Sequence, residues 1–107
     1  MKNIADLMKA AQAMQANMAD AQAKLDTIEV EGQAGAGMVR ARMTAKGKLL
    51  RLHLDPSLLK AEDVEMTEDL IVAAVNDARG KAEAAAQAEM GKLTAGLPLP
   101  PGFKMPF

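Results

Sequence analysis

Apolar residues recur every seven positions along the first quarter of the chain. Ile4, Ala11, Met18 and Leu25 form one row, and Leu7, Met14, Ala21 and Ile28 form a second. Two such rows make a single stripe down one side of an α-helix. The filling between them is largely Ala, Gln, Lys and Met, all good helix formers. Asn3 stands before the run as a candidate cap. The spacing predicts a helix over residues 4–26, ~35 Å long at ~1.5 Å per residue. A stripe of that length needs a cover.

The period then changes from seven to two. Ile28, Val30 and Ala34 alternate with Glu29, Glu31 and Gln33. Val39, Ala41, Met43 and Ala45 alternate with Arg40, Arg42 and Thr44. Leu50, Leu52 and Leu54 alternate with Arg51, His53 and Asp55. One apolar face per strand predicts a half-buried, three-stranded antiparallel sheet over residues 28–34, 38–45 and 48–55. The Gly35-Ala36-Gly37 run reads as a turn. Lys46-Gly47 reads as a two-residue hairpin turn, which pairs Ala45 with Lys48, Met43 with Leu50, Arg42 with Arg51 and Arg40 with His53. Asp55-Pro56 ends the third strand.

A second helix is predicted over residues 67–93. Thr67 is its candidate cap, and Glu68 and Asp69 suit the positive end of its dipole. Ile71, Ala74, Val75, Ala78, Ala82, Ala85 and Leu93 give it an apolar stripe. Gly80 and Gly91 weaken it by ~1 kcal/mol each relative to alanine. The order is α-β-β-β-α, an α+β fold in one domain over residues 1–94. Residues 95–107 follow as a Pro-rich, extended tail.

Composition decides whether such a subunit can stand alone. Half of the residues are hydrophobic, but 22 of those 53 are alanine and only Phe103 and Phe107 are aromatic. A chain of 107 residues with so little large apolar surface is short of core. Strands of this length span ~25 Å, less than either helix. The helix ends therefore project, and a two-fold homodimer is the simplest cover for them.

The same composition removes function classes. There is no cysteine, hence no thiol nucleophile, disulfide or zinc–thiolate site. No run of eighteen apolar residues exists, so no membrane span is expected. The opening residues carry Asp6 and Lys9 within their apolar stretch and do not read as a secretory signal. Without Tyr or Trp, base stacking on aromatic platforms is nearly excluded. His53, Asp55 and Ser57 resemble a triad only in name, since a proline separates Ser57 from the strand face of the other two. The acidic residues Glu62, Asp63, Glu65, Glu68 and Asp69 lack the spacing of a calcium loop. No catalytic residue, metal site or cofactor is expected.

Charge points to a local patch. Residues 30–56 carry five basic and two acidic groups, or +3, whereas residues 57–94 carry four basic and eight acidic, or −4. In the hairpin, Arg42 falls opposite Arg51, an unfavourable like-charge pair. Glu29 and Glu31 on the neighbouring strand are one source of relief, and a phosphate backbone is another. Lys46 and Lys48 at the turn have no evident acidic neighbour. On the helices, Lys2 and Lys9 share one face, and Arg79, Lys81 and Lys92 are distributed along the second helix. These nine residues, Lys2, Lys9, Arg40, Arg42, Lys46, Lys48, Arg79, Lys81 and Lys92, are the candidate contacts for a phosphate backbone. An ordinary solvated charge ladder is the alternative for each.

Four stretches of the chain resemble the YbaB/EbfC family of bacterial nucleoid-associated DNA-binding proteins. They are the opening LMKAAQAMQANM, the GQAGAGMVRARM turn-and-strand, LDPSLL followed by EDLIVAAVNDA, and the closing LPLPPGFKMPF. The resemblance implies a tight homodimer whose long helices project like tweezers. It also implies binding to double-stranded DNA, location in the cytoplasm and nucleoid, and no enzymatic activity. Roles in nucleoid organisation, gene regulation or recombination and repair would follow. The family has no tight motif that assigns the contacts residue by residue. The −4 balance of residues 57–94 weakens the second helix as a DNA arm. The rival expectation is a protein-interaction module in which the helical stripe, the methionines and the tail dock a protein, with incidental DNA affinity.

Overall fold

In a computed structural model, which describes residues 3–95, the first helix, α1, spans Ile4–Leu25. Asn3 caps it, its Oδ1 accepting a hydrogen bond from the Asp6 backbone N–H at 2.9 Å. At the other end the Thr27 hydroxyl donates to the Lys24 carbonyl at 2.7 Å. Three strands follow, β1 (Glu29–Ala34), β2 (Val39–Thr44) and β3 (Leu49–Leu54), antiparallel in the order β1-β2-β3. The second helix, α2, spans Val64–Ala95. The α-β-β-β-α order matches the expectation.

The turns show where local sequence dominates. Gly35, Ala36 and Gly37 all have left-handed φ, at 61°, 55° and 90°. Ala36 is the one without a glycine's freedom to do so. The second hairpin differs from the expected two-residue turn. Thr44 C=O accepts from Gly47 N–H at 2.8 Å, and Thr44 N–H donates to Lys48 C=O at 2.9 Å. The loop is thus Ala45-Lys46-Gly47, with Gly47 at φ 98°, the three-residue form that ends on a left-handed glycine. The register consequently shifts between Arg42 and Met43, so Met43 pairs with Leu49 and not with Leu50. Arg42 still faces Arg51, and Arg40 still faces His53. Thr44, expected on the polar face, is buried.

The start of α2 is also corrected. A 3₁₀ turn over Ala61–Asp63 runs directly into the helix at Val64. Thr67 therefore lies inside the helix. Its hydroxyl donates to the Leu58 carbonyl at 2.8 Å, pinning α2 to the turn after β3 instead of capping it. The helix continues through Gly80 and Gly91 to Ala95, and the proline-rich stretch lies outside the described residues.

One face of the sheet receives α2. Val39, Ala41 and Met43 of β2 are fully covered and pack against Ala74, Ala78 and Ala82. Gly32 of β1 lies so close to α2 that an added Cβ would collide with the backbone of Ala74 and Ala78. Alanine on one side and glycine on the other bring helix and strand together. Two further bonds tie α2 to the edge of β1. Gln33 N–H donates to Asp77 Oδ2 at 2.9 Å, and Lys81 Nζ donates to the Glu31 carbonyl at 3.0 Å. A second cluster joins Leu25, Ala45 and Met90, with Ala21, Ile28, Ala86 and Leu93 around it.

The far part of α1 has no such cover. Ile4, Leu7, Met8 and Met14 are 74%, 55%, 58% and 40% exposed. The radius of gyration is 19.9 Å, against about 13 Å for a compact domain of ~100 residues. The subunit is 71 Å long and 16 Å across its narrowest axis. Within the heptad rows it is the C-terminal members Ala21, Leu25 and Ile28 that pack against α2 and the hairpin in the second cluster.

Candidate nucleic-acid interface

Because side chains alternate along a strand, the residues that do not face α2 share the opposite side of the sheet. Glu29, Glu31 and Gln33 come from β1, Arg40 and Arg42 from β2, and Arg51 and His53 from β3. All seven are exposed. Glu31, Arg40, Arg42, Arg51 and His53 line a shallow cavity of about 150 Å³.

The charges on this face are only partly matched. Arg40 Nε lies 3.8 Å from a carboxylate oxygen of Glu31, and Arg42 Nε lies 3.8 Å from one of Glu29. Both internal partners anticipated for the arginines are thus in place, diagonally across β1 and β2. Arg51 has no ion pair among the described residues. Three guanidiniums against two carboxylates leave the face net positive, with His53 as a further N–H donor. Arg51 and His53 were absent from the candidate contacts. The strand alternation could have placed them there, since both fall on the arginine side of the hairpin.

The other candidates divide by what already holds them. Lys46, expected to be free, pairs with Asp26 at 3.4 Å, because the hairpin tip folds toward the end of α1. Lys81 is engaged by Asp77 at 3.2 Å as well as by the Glu31 carbonyl. Lys92 lies 3.2 Å from Glu89, which Lys24 also contacts at 3.0 Å. Lys81 and Lys24 thus bind elements of the fold together, whereas Lys92 pairs within α2. Lys9 on the α1 arm, Lys48 beside the hairpin turn and Arg79 on α2 are exposed, with no ion pair among the described residues. Lys2 lies outside the described residues.

Hydrogen bonding lowers three carboxyl pKa values. The Gln33 N–H, then Lys81, lowers Asp77. Lys24, then Lys92, lowers Glu89. The Ser57 hydroxyl and N–H lower Asp55. Asp55 accepts from Ser57 N–H at 2.9 Å across Pro56. The resulting turn explains the Asp-Pro-Ser run as strand termination. No group of three or more metal-ligating side chains occurs among the described residues.

Comparison with known proteins places this architecture. A nucleoid-associated protein of Granulibacter bethesdensis is 58% identical over 107 residues, covering 100% of both chains. The crystal structure of an uncharacterized protein from Helicobacter pylori superposes with a TM-score of 0.75 at 22% identity, covering 87% of this chain and 98% of that one. That likeness shows the fold. The model of the YbaB/EbfC DNA-binding family matches residues 1–97, all of the described structure. With helix arm, basic sheet face and alanine-lined second helix all inside that match, the chain belongs to the YbaB/EbfC DNA-binding family.

Proposed function

We propose that this chain is a non-enzymatic, nucleoid-associated protein that binds double-stranded DNA as a homodimer, mainly through the phosphate backbone. The observation that carries the reading is the uncovered sheet face, where Arg40, Arg42, Arg51 and His53 surround one cavity. Guanidiniums recognise phosphate oxygens through two parallel N–H donors, and each phosphate they neutralise releases counterions. Contacts of this kind position a duplex without reading its sequence. The family membership and the name of the Granulibacter relative support DNA as the partner and the nucleoid as the place of action. No helix among the described residues is long and apolar enough to cross a membrane.

The homodimer is supported by the uncovered stripe on α1 and by the exposed Leu49, Leu50, Leu59 and Val72 near β3 and the start of α2. β3 is an edge strand, while α2 side chains already bind the edge of β1. Two copies on one rigid body double each small basic patch. The test is a gel shift with several unrelated duplexes over a range of salt, on protein whose mass has been measured by light scattering. A dimeric mass with binding that weakens steeply as salt rises, alike for all duplexes, is expected. Salt-independent binding would contradict the reading.

A second reading, a protein-interaction module, draws on the same exposed α1 stripe. Pull-down from nuclease-treated extract separates the two: partners that persist after nuclease favour the module.

A further inference from the structure

The phosphate-contact reading does not explain why β1 places carboxylates on the same face as the arginines. Glu31 and Glu29 lie 3.8 Å from Arg40 and Arg42, too far for a hydrogen bond. Each pair is about half exposed on both sides, so it contributes little to folding. Each contact also engages only the Nε edge of a guanidinium, which has five N–H donors. Arg51 is set directly across from Arg42, a repulsive arrangement, and has no ion pair among the described residues. The result is a concave site with three guanidiniums and one imidazole around it and a single carboxylate, Glu31, in its lining. It is basic enough to hold a dianion and too weakly neutralised to be a structural ion-pair network.

We infer that this cavity is a phosphate-group site completed by Arg51 and His53, in which Glu29 and Glu31 act as a built-in competitor. The carboxylates occupy Arg42 and Arg40 until a phosphate displaces them. Arg51, facing no carboxylate, makes the first contact. His53, across from Arg40, donates an N–H to the same phosphate. Exchange of carboxylate for phosphate on a guanidinium conserves charge and donor geometry, so occupation needs only side-chain rotation. The inference rests on the DNA reading for the source of the phosphate. The chemistry of the site would equally accept a free phosphate compound.

The competitor makes an unusual prediction: removing acidic residues next to the site tightens binding. In a fluorescence-anisotropy titration at low salt, Glu29→Gln with Glu31→Gln raises affinity for a short duplex about three- to ten-fold, because exposed pairs of this kind are weak and readily exchanged. Arg51→Gln lowers affinity and reduces the slope of log K against log salt by about 0.9, the value of one phosphate contact. All three side chains are exposed, and circular dichroism checks that the fold is kept. A second arm follows the side-chain Nε–H NMR signals of Arg40, Arg42 and Arg51 during titration with pyrophosphate and, separately, with the duplex. Shifts from both ligands identify the backbone as the source. Shifts from pyrophosphate alone, with duplex affinity indifferent to Arg51→Gln, identify a free phosphate compound. If the glutamine variants bind no tighter and neither ligand moves the three signals, the site does not exist. Should wild type and variants then bind duplex equally well, the DNA reading survives. Should wild type fail to bind duplex at any salt, that reading fails and the pyrophosphate arm alone decides the site.

Discussion

Gly32→Ala and Gly80→Ala make the same chemical change, and the structure predicts opposite results. At Gly80 a new Cβ meets nothing within 4 Å. Alanine there should stabilise α2 by about 1 kcal/mol. At Gly32 the backbone is ordinary strand, so alanine's lower unfolded-state freedom would by itself favour the folded state by about 0.5–1 kcal/mol. The Cβ, however, would sit 2.5 Å from the Ala74 carbonyl oxygen and 2.7 Å from the Ala78 Cα, with the Ala78 N also in its path. Normal contact needs α2 to retreat by about 1 Å, which forfeits up to half of the dispersion energy across the gap. The retreat also stretches the Gln33–Asp77 and Lys81–Glu31 bonds, now 2.9 and 3.0 Å. Overpacking of this kind costs about 1–3 kcal/mol. Including the loosened edge bonds, a net loss of about 2–3 kcal/mol is expected, or roughly 10–20 °C in melting temperature for a domain of this size. Urea melts followed by circular dichroism measure both variants. Protein concentration must be held constant, because association would shift the midpoint. Because the obstructing atoms are backbone, Ala78→Gly should not rescue Gly32→Ala. If Gly32→Ala is neutral or stabilising, or if trimming Ala78 restores it, the close helix–strand approach is wrong.

Three other outcomes follow from particular residues. Ala36→Gly relieves a left-handed φ of 55° and should stabilise the β1–β2 hairpin by about 0.5–1 kcal/mol, visible as a higher melting temperature; a lower one would argue against strain there. Glu89, held below the ordinary carboxylate range by Lys24 and then Lys92, stabilises the folded state above its unfolded pKa. That contribution fades as pH falls through the depressed folded value, so acid should loosen the α1–α2 contact, and Glu89→Gln should flatten this part of an acid melt. An unchanged acid profile in the variant would remove Glu89 from the helix–helix contact. Leu7→Glu with Met14→Glu places charge on the uncovered α1 stripe. If that stripe meets a second copy, the dimer should dissociate in light scattering while helix content near the sheet persists; an intact dimer would exclude the α1 arm from the interface.

Much of the fold is visible in the periodicities, because they report which side of each element faces apolar surface. The heptad rows located α1, and the alternation located all three strands to within one residue. What escaped was non-local or depended on a choice between similar local signals. Thr67 has the chemistry of a cap, yet the 3₁₀ turn at Ala61–Asp63 starts the helix earlier and leaves the hydroxyl to bond Leu58. Lys46-Gly47 suggested a tight turn, but the chain chose the longer loop, and one residue of register moved Leu50 out of line with Met43. Lys46–Asp26, Gln33–Asp77 and Lys81–Glu31 join residues far apart in sequence, and no spacing rule announces them. The arginine face was legible through Arg40, Arg42 and their glutamates. Arg51 and His53 were legible only as members of a strand face, and their convergence on one cavity required the sheet.

The salt dependence of duplex binding, measured in parallel for wild type and for Arg40→Glu with Arg42→Glu, tests the phosphate-contact account most directly. Both side chains are exposed, so the variant should keep its fold. The account predicts a steep wild-type plot of log K against log salt, and a variant that binds weakly with a slope shallower by about 0.9 for each phosphate it no longer neutralises. Equal affinity and equal slope for the two proteins would contradict it.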